Sequence, residues 1–251
     1  MDTGLAGRVV LVTGAGGGAG PSIVSAFAAE GASVAVHYRS SADRAEAAAA
    51  AVRDAGGRAL AIQADLGDRA SIEAAVATVE RELGPVAVLV TATSAYRNDR
   101  FADTTDEGWA SVVDDMLGAT FRACRAVVPG MASAGFGRIV NIASRSGLVG
   151  VARSAHYAAA KAGIVGLTRS LAKELGPHGI LVNAIAPVVI RTEVDGTPSI
   201  PDERAAEMAK SIPLRRVATP EDVAGVVMWL GSAANTYVTG EVISLHGGDQ
   251  R

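Results

Sequence analysis

The chain has a single cysteine, Cys124, so it cannot close an intramolecular disulfide, and its stability must come from a packed core. One thiol fits a reducing compartment, and the cytoplasm is the expected location. Aromatic residues are scarce, at 4%, which leaves packing to aliphatic side chains. Neither sign of charge dominates: 23 Lys and Arg against 26 Asp and Glu leave a net charge of −3. That balance offers no basic field for nucleic acid or an anionic membrane. No apolar run reaches the roughly 18 residues of a membrane span. The first apolar stretch, Val9 to Val12, has strand length and no basic leader before it, so no export signal is expected. The four histidines, His37, His156, His178 and His246, share no metal-ligand spacing and are expected as surface or supporting residues. A small-molecule partner is what these absences leave.

Hydrophobic residues make up 49% of 251, enough for a sizeable core. The apolar run from Arg8 to Thr13 leads into Gly14-Ala-Gly-Gly-Gly18-Ala-Gly20, then Pro21, then Ile23, Val24 and Phe27 at helical spacing. Strand, glycine turn and helix in that order form an anion site. The glycines let the backbone approach a pyrophosphate, and the helix amino end favours its charge. A second strand, Ser33 to His37, ends in Tyr38-Arg39-Ser40 with no acid. An acid there would accept a ribose 2′-hydroxyl, whereas Arg39 accommodates a 2′-phosphate, so NADP(H) is expected over NAD(H).

Further strands are expected at Arg58–Gln63, Val86–Val90, Gly137–Ala143, Ile180–Ile185 and Glu241–Leu245. Between them lie helices at Ala42–Ala55, Ser71–Leu83, Thr105–Met131, Ala155–Leu175 and Pro220–Ser232. That alternation predicts an α/β fold: one Rossmann-type, doubly wound parallel sheet with helices on both faces, a single domain over residues 1–251. The Pro- and Gly-containing stretch from 188 to 213 reads as a substrate lid.

On the helix over Ala155–Leu175, Tyr157 and Lys161 are one turn apart and share a face. An ammonium near a phenol favours phenolate and lowers its pKa, which suits the phenol to exchange a proton with a carbonyl or alcohol oxygen. Ser144, thirteen residues before Tyr157, ends a strand and is expected to hydrogen-bond the same oxygen.

Taken together, these motifs make the whole chain resemble the short-chain dehydrogenase/reductases, most like the 3-oxoacyl-carrier-protein reductases and glucose dehydrogenases. The matching stretches are Thr13-Gly14-xxx-Gly18-x-Gly20, Asp65-Leu66, Ser144, Tyr157-xxx-Lys161, Asn183-Ala-Ile-Ala-Pro187 with Thr192, and Tyr237-Val-Thr-Gly240. The resemblance implies about seven strands, a nicotinamide cofactor and a homotetramer built on the two long helices. By the same implication Ser144, Tyr157 and Lys161 are catalytic. Gly14, Gly18, Gly20, Arg39, Ser40, Asp65, Leu66, Ala92, Ile190 and Thr192, with Tyr157 and Lys161, hold the cofactor. The implied reaction is reduction of a ketone, 3-oxoacyl or polyketide-like and possibly carrier-bound, to a secondary alcohol.

The chain departs from that pattern in four places. Thr91-Ala92-Thr93-Ser94 stands where Asn-Asn-Ala-Gly is usual, and Met116 stands where an asparagine would hold a relay water. Val188 replaces a glycine, and His246 an acid or asparagine. The altered segment and Met116 support a second reading, a cofactor-binding regulatory or partner subunit with impaired turnover.

Overall fold

Strands that are apolar along their whole length belong in a parallel sheet covered on both faces. In the computed structural model, which describes residues 2–194 and 196–249, β1 (Val9–Thr13) is buried throughout. From it the chain runs through α1 (Gly20–Ala29), β2 (Ser33–Tyr38), α2 (Ala42–Asp54), β3 (Arg58–Gln63), α3 (Arg69–Glu82) and β4 (Val86–Thr91). Next come α4 (Asp106–Val113), α5 (Ala119–Ala134), β5 (Gly137–Ile142), the short α6 (Ser146–Val149), α7 (Ala155–Leu175) and β6 (Ile180–Pro187). The last part holds β7 (Glu193–Val194), β8 (Thr197–Pro198), α8 (Asp202–Ser211), α9 (Pro220–Gly231) and β9 (Val242–Leu245).

Seven strands form one sheet in the order β3-β2-β1-β4-β5-β6-β9, every pair parallel. Alternate side chains serve opposite faces. Val10 and Val12 pack with Phe27, Val227 and Leu230 of α1 and α9, while Leu11, Leu89 and Ile139 pack with Val79, Val127 and Met131 of α3 and α5. Phe27 is fully buried, which alone contributes roughly 1.5–3 kcal/mol. Strand order reverses between β1 and β4, and the crevice for a ligand opens at the carboxyl ends of the strands there.

Two expected elements are changed. The helix expected over Thr105–Met131 is α4 and α5 joined by a π turn, Asp114–Gly118, with Thr105 as its cap: its hydroxyl accepts from the Gly108 N–H at 3.1 Å. A π turn inserts an extra residue and rotates the phase of the helix beyond it. The stretch expected as a lid loop also holds structure. There β7 and β8 pair as an antiparallel ribbon, and α8 comes after them. Ala205 of α8 is buried, and Met208 and Ile212 pack beside it with Ile200 and Val217, an apolar stripe only two turns long. Its marks are Pro201 before it, Asp202 and Glu203 in the first turn and Lys210 in the last.

Candidate active site

A cleft of about 500 Å³ opens across the carboxyl ends of β1, β2, β4 and β5. Its floor starts at Gly14, whose φ of +66° a side chain would strain. A Cβ there would also lie 2.9 Å from the Ala92 carbonyl oxygen. The turn is pinned from below: the Gly14 N–H donates to His37 Nδ1 at 3.1 Å and the Ala15 N–H to the His37 carbonyl at 3.1 Å. Gly18 lines the cleft, but Gly20 does not. A Cβ on Gly20 would come within 2.3 Å of the Ala15 oxygen, so its role is to let α1 start hard against the turn. Pro21 occupies the first turn of α1 and no acid does, which leaves that helix end able to take an anion.

At the β2 end Arg39, Ser40 and Arg44 line the cleft, as do Asp65 and Leu66 from the far side. Arg39 Nη1 is 3.1 Å from Asp115 Oδ1, an ion pair between partly exposed groups. The π turn is what brings Asp115 to the cleft, and Asp114 next to it pairs outward with Arg122 at 2.8 Å. Asp114 and Asp115 read in sequence as one solvated or subunit-facing pair, so Asp115 is a cleft residue that sequence reasoning missed. A regular 3.6-residue period gives no signal for it.

Ser144, Tyr157 and Lys161 meet at the opposite end, with Ala92, Val188 and Ile190 beside them. Thr192 is not on the cleft wall: its N–H donates to Ser199 Oγ at 3.0 Å and its carbonyl accepts from the Ser199 N–H at 2.8 Å. Lys161 is only 2% exposed and its Nζ donates to the Ile142 carbonyl at 2.7 Å and the Thr93 carbonyl at 3.3 Å. Burial lowers its pKa to about 8. Nζ stands 5.9 Å from the centre of the Tyr157 ring. The phenol's pKa is nonetheless raised: burial is the main cause, the Ser144 hydroxyl donating toward it pulls it back, and Tyr96 adds to the rise. The expectation that Lys161 holds the phenol below its ordinary value is therefore reversed here, because the helix face that joins the pair also buries both. Met116, fully buried with Val112 and Ala160, packs against Tyr157 and adds to that burial.

Tyr157 is also tied to the segment after β4. Its N–H donates to His156 Nδ1 at 2.8 Å, and His156 Nε2 lies 3.1 Å from Asp99 Oδ2, which makes Nε2 the protonated nitrogen. Ser154 Oγ donates to the Arg97 carbonyl at 2.5 Å and Arg153 Nε to Asn98 Oδ1 at 3.0 Å. The Tyr96 ring meets the Tyr157 ring edge to face, centroids 5.1 Å apart. His37 and His156 are thus buried supports, and neither lies at the surface.

Val188 also borders a second cavity, about 330 Å³, with Val189, Met208, Ile212, Leu214 and Val226 on its walls. Arg216 and Asp222 form an ion pair at its edge, with one contact of 2.6 Å. Among the described residues no group of three or more His, Cys, Asp or Glu could hold a metal, and no helix is long and apolar enough to cross a membrane. Burial pushes the Cys124 thiol up to about 12, so it is inert as a nucleophile. The turn at Gly14, the acid-free start of α1 and the cleft's two-ended lining fit a dinucleotide.

The sequence matches, over residues 14–249, the family model described as enoyl-(acyl carrier protein) reductase. It is 40% identical to the short-chain reductase protein NovJ of Streptomyces niveus, covering 96% of this chain and 93% of that one. It is 37% identical to the 3-oxoacyl-[acyl-carrier-protein] reductase FabG of Staphylococcus aureus, covering 96% and 97%. Nodulation protein G of Azospirillum brasilense is 36% identical, again over 96% and 97%.

Proposed function

Because the chain belongs to the short-chain dehydrogenase/reductase family, we propose that it is an NADP(H)-dependent ketoreductase. It reduces a 3-oxoacyl or polyketide-like ketone, free or carrier-bound, to a secondary alcohol. The observation that carries this reading is the meeting of the Ser144 hydroxyl and the Tyr157 phenol on the cleft wall, with Lys161 buried behind them. Both hydroxyls address one oxygen position. A nicotinamide cofactor, when bound, supplies the hydride. Ser144 would donate a hydrogen bond to the substrate carbonyl oxygen, and Tyr157 would give that oxygen its proton. A phenol with a raised pKa stays protonated at neutral pH, which suits the acid role that reduction requires. Lys161 fixes the reacting end through its bonds to Ile142 and Thr93 and presents its charge to the cofactor ribose.

Arg39 and Ser40 take the 2′-phosphate, Asp65 and Leu66 the adenine, and Gly14 and Gly18 the pyrophosphate, with Gly20 supporting the turn. Ala92 and Ile190 would flank the nicotinamide, while Thr192, paired with Ser199, would act from behind the wall. The lid is residues 188–213, and the apolar cavity beneath α8 supports a substrate with an aliphatic portion. Trp109 and Phe121, exposed on α4 and α5, support assembly through those helices. A single domain over residues 1–251 fits one continuous seven-stranded sheet.

A second reading comes from the enoyl description of the family model. Reduction of a C=C bond places the proton on carbon, whereas two hydroxyls converging on one oxygen serve a C=O. Loss of NADPH absorbance with 3-oxoacyl thioesters and a panel of ketones, compared with 2-enoyl thioesters, separates the two. Consumption with the enoyl substrates alone would replace the ketone reading. Consumption with none would favour the regulatory or partner subunit.

A further inference from the structure

We infer that His37 is a positioning residue of the cofactor cleft: as a neutral imidazole it locks the Gly14 turn to the ends of β2 and β3, and taking a proton releases that turn. The inference rests on the cofactor reading above and adds a residue and a pH dependence to it.

His37 is 2% exposed, near the end of β2, and its ring spans the gap between two neighbouring strand ends. On one side Nδ1 accepts the Gly14 N–H at 3.1 Å, and on the other Nε2 meets the Ala64 carbonyl at 3.1 Å. A carbonyl can only accept and an N–H can only donate, so the tautomer is determined: hydrogen on Nε2 and a lone pair on Nδ1. The backbone closes the same frame, since the Ala15 N–H donates to the His37 carbonyl and the Ala64 N–H to the Tyr38 carbonyl, each at 3.1 Å. Gly14 is also packed closely against the Ala92 backbone, whose carbonyl oxygen would lie 2.9 Å from a Cβ placed there. One imidazole therefore sets the height of the turn that faces the pyrophosphate and, through Ala64, the start of the Asp65-Leu66 segment.

A proton on Nδ1 would set an N–H against the Gly14 N–H, and the bond that holds the turn would become a repulsion. Residues 9–21 contain no ionisable side chain, and neither do Thr91 to Ser94, so neither β1 with its turn nor the end of β4 offers a charge to the ring. From β3 the facing charge is Asp65, which favours protonation, while burial disfavours it more strongly. On its own strand Arg39 is engaged with Asp115. The ring is thus neutral at neutral pH, and the turn is held until the medium becomes acidic.

Two variants test this. His37→Phe removes both bonds, and His37→Asn keeps an acceptor near the Nδ1 position but cannot titrate. NADP+ affinity is measured by calorimetry at about pH 7.5 and about pH 5, below the free imidazole value of about 6.5. We expect His37→Phe to weaken NADP+ binding on the order of tenfold at the higher pH, with the KM for NADPH raised and kcat nearly unchanged. Wild type should lose on the order of tenfold more affinity on acidification than His37→Asn, a comparison in which the titration of the cofactor's own phosphate cancels. An equal acid loss in wild type and His37→Asn overturns the inference, as does a fall in kcat with KM unchanged. Should His37→Phe fail to fold, the His37→Asn comparison decides alone. Wild-type protein that binds neither NADP+ nor NAD+ would instead overturn the cofactor reading, and this inference with it.

Discussion

At the glycine-turn end of the cleft the wall is largely backbone: Gly14 and Ala15 set its shape through main-chain contacts, and His37 props it from beneath. At the reacting end the wall is side chain. Ser144 follows β5 and Tyr157 and Lys161 project from α7, and residues 96–99 brace the start of that helix. The first end can hold a ligand with few distinctive side chains, because peptide N–H groups and a helix terminus do the binding. The second concentrates its chemistry in three groups, two of them strongly desolvated. Substitutions at the first end should therefore alter affinity, and substitutions at the second should alter rate.

The sharpest test of that division is Tyr157→Phe. We expect ketone reduction to fall by at least about 100-fold, the scale of general acid catalysis, while NADP+ binding changes little. Comparable activity in the variant would remove Tyr157 as the acid. In the reverse direction the phenol must give up its proton first. With its pKa raised above the ordinary value of about 10, alcohol oxidation should still be climbing at about pH 10; a plateau well below that pH would contradict the burial described here.

Lys161 tests the cost of the reacting end. Its folded pKa of about 8 lies below the unfolded value of 10.5, so between those values the unfolded chain binds more protons and stability rises with pH. The penalty is fully present below about pH 8. Lys161→Met should remove it, raising stability near pH 7 by up to the order of 3 kcal/mol, less what the two carbonyls lose, while reduction is abolished. Chemical denaturation of both proteins across pH 7 to pH 11 should give curves that converge at the alkaline side. Parallel curves would mean that the lysine's burial is not what costs the fold.

Met116→Asn should act in two ways. An amide in the cluster of Val112 and Ala160 loses apolar packing and lowers Tm by several degrees. Turnover should rise if a relay water beside Lys161 is what the methionine excludes. An unchanged rate would retire the relay argument.

The smallest effect is expected at the other end. Asp115→Asn frees Arg39 from a partly exposed ion pair worth at most about 1 kcal/mol, so the KM for NADPH should fall by no more than about fivefold with kcat constant. A change in kcat instead would show that the two ends are less independent than their construction suggests.

The strands, the glycine turn and the Tyr157 helix were legible because each is a local pattern: an apolar run, a glycine cluster before an amphipathic helix, a four-residue spacing. The helix α8 was not, since its stripe of Ala205, Met208 and Ile212 is only two turns long and lies between Pro201 and Pro213, which read as loop. Asp115 was hidden by the π turn, which breaks the period on which any face assignment depends. Gly20 and Thr192 belong to recognisable motifs, yet one packs against Ala15 and the other pairs with Ser199, beyond the cleft wall. Whether His37 and His156 would be surface residues or supports was not legible, because their partners Gly14, Ala64 and Asp99 are set by strand order and by a loop crossing.

By itself the order of residues determined the doubly wound sheet and the place of the cleft at the strand ends, which arise from periodicity, and it set Tyr157 and Lys161 on one helix face, which arises from a short spacing. Tertiary structure alone decided how acidic those side chains are. The spacing that sets Lys161 one turn from Tyr157 predicts attraction, but the pKa depends on how much water each retains, and that is a property of everything packed around them.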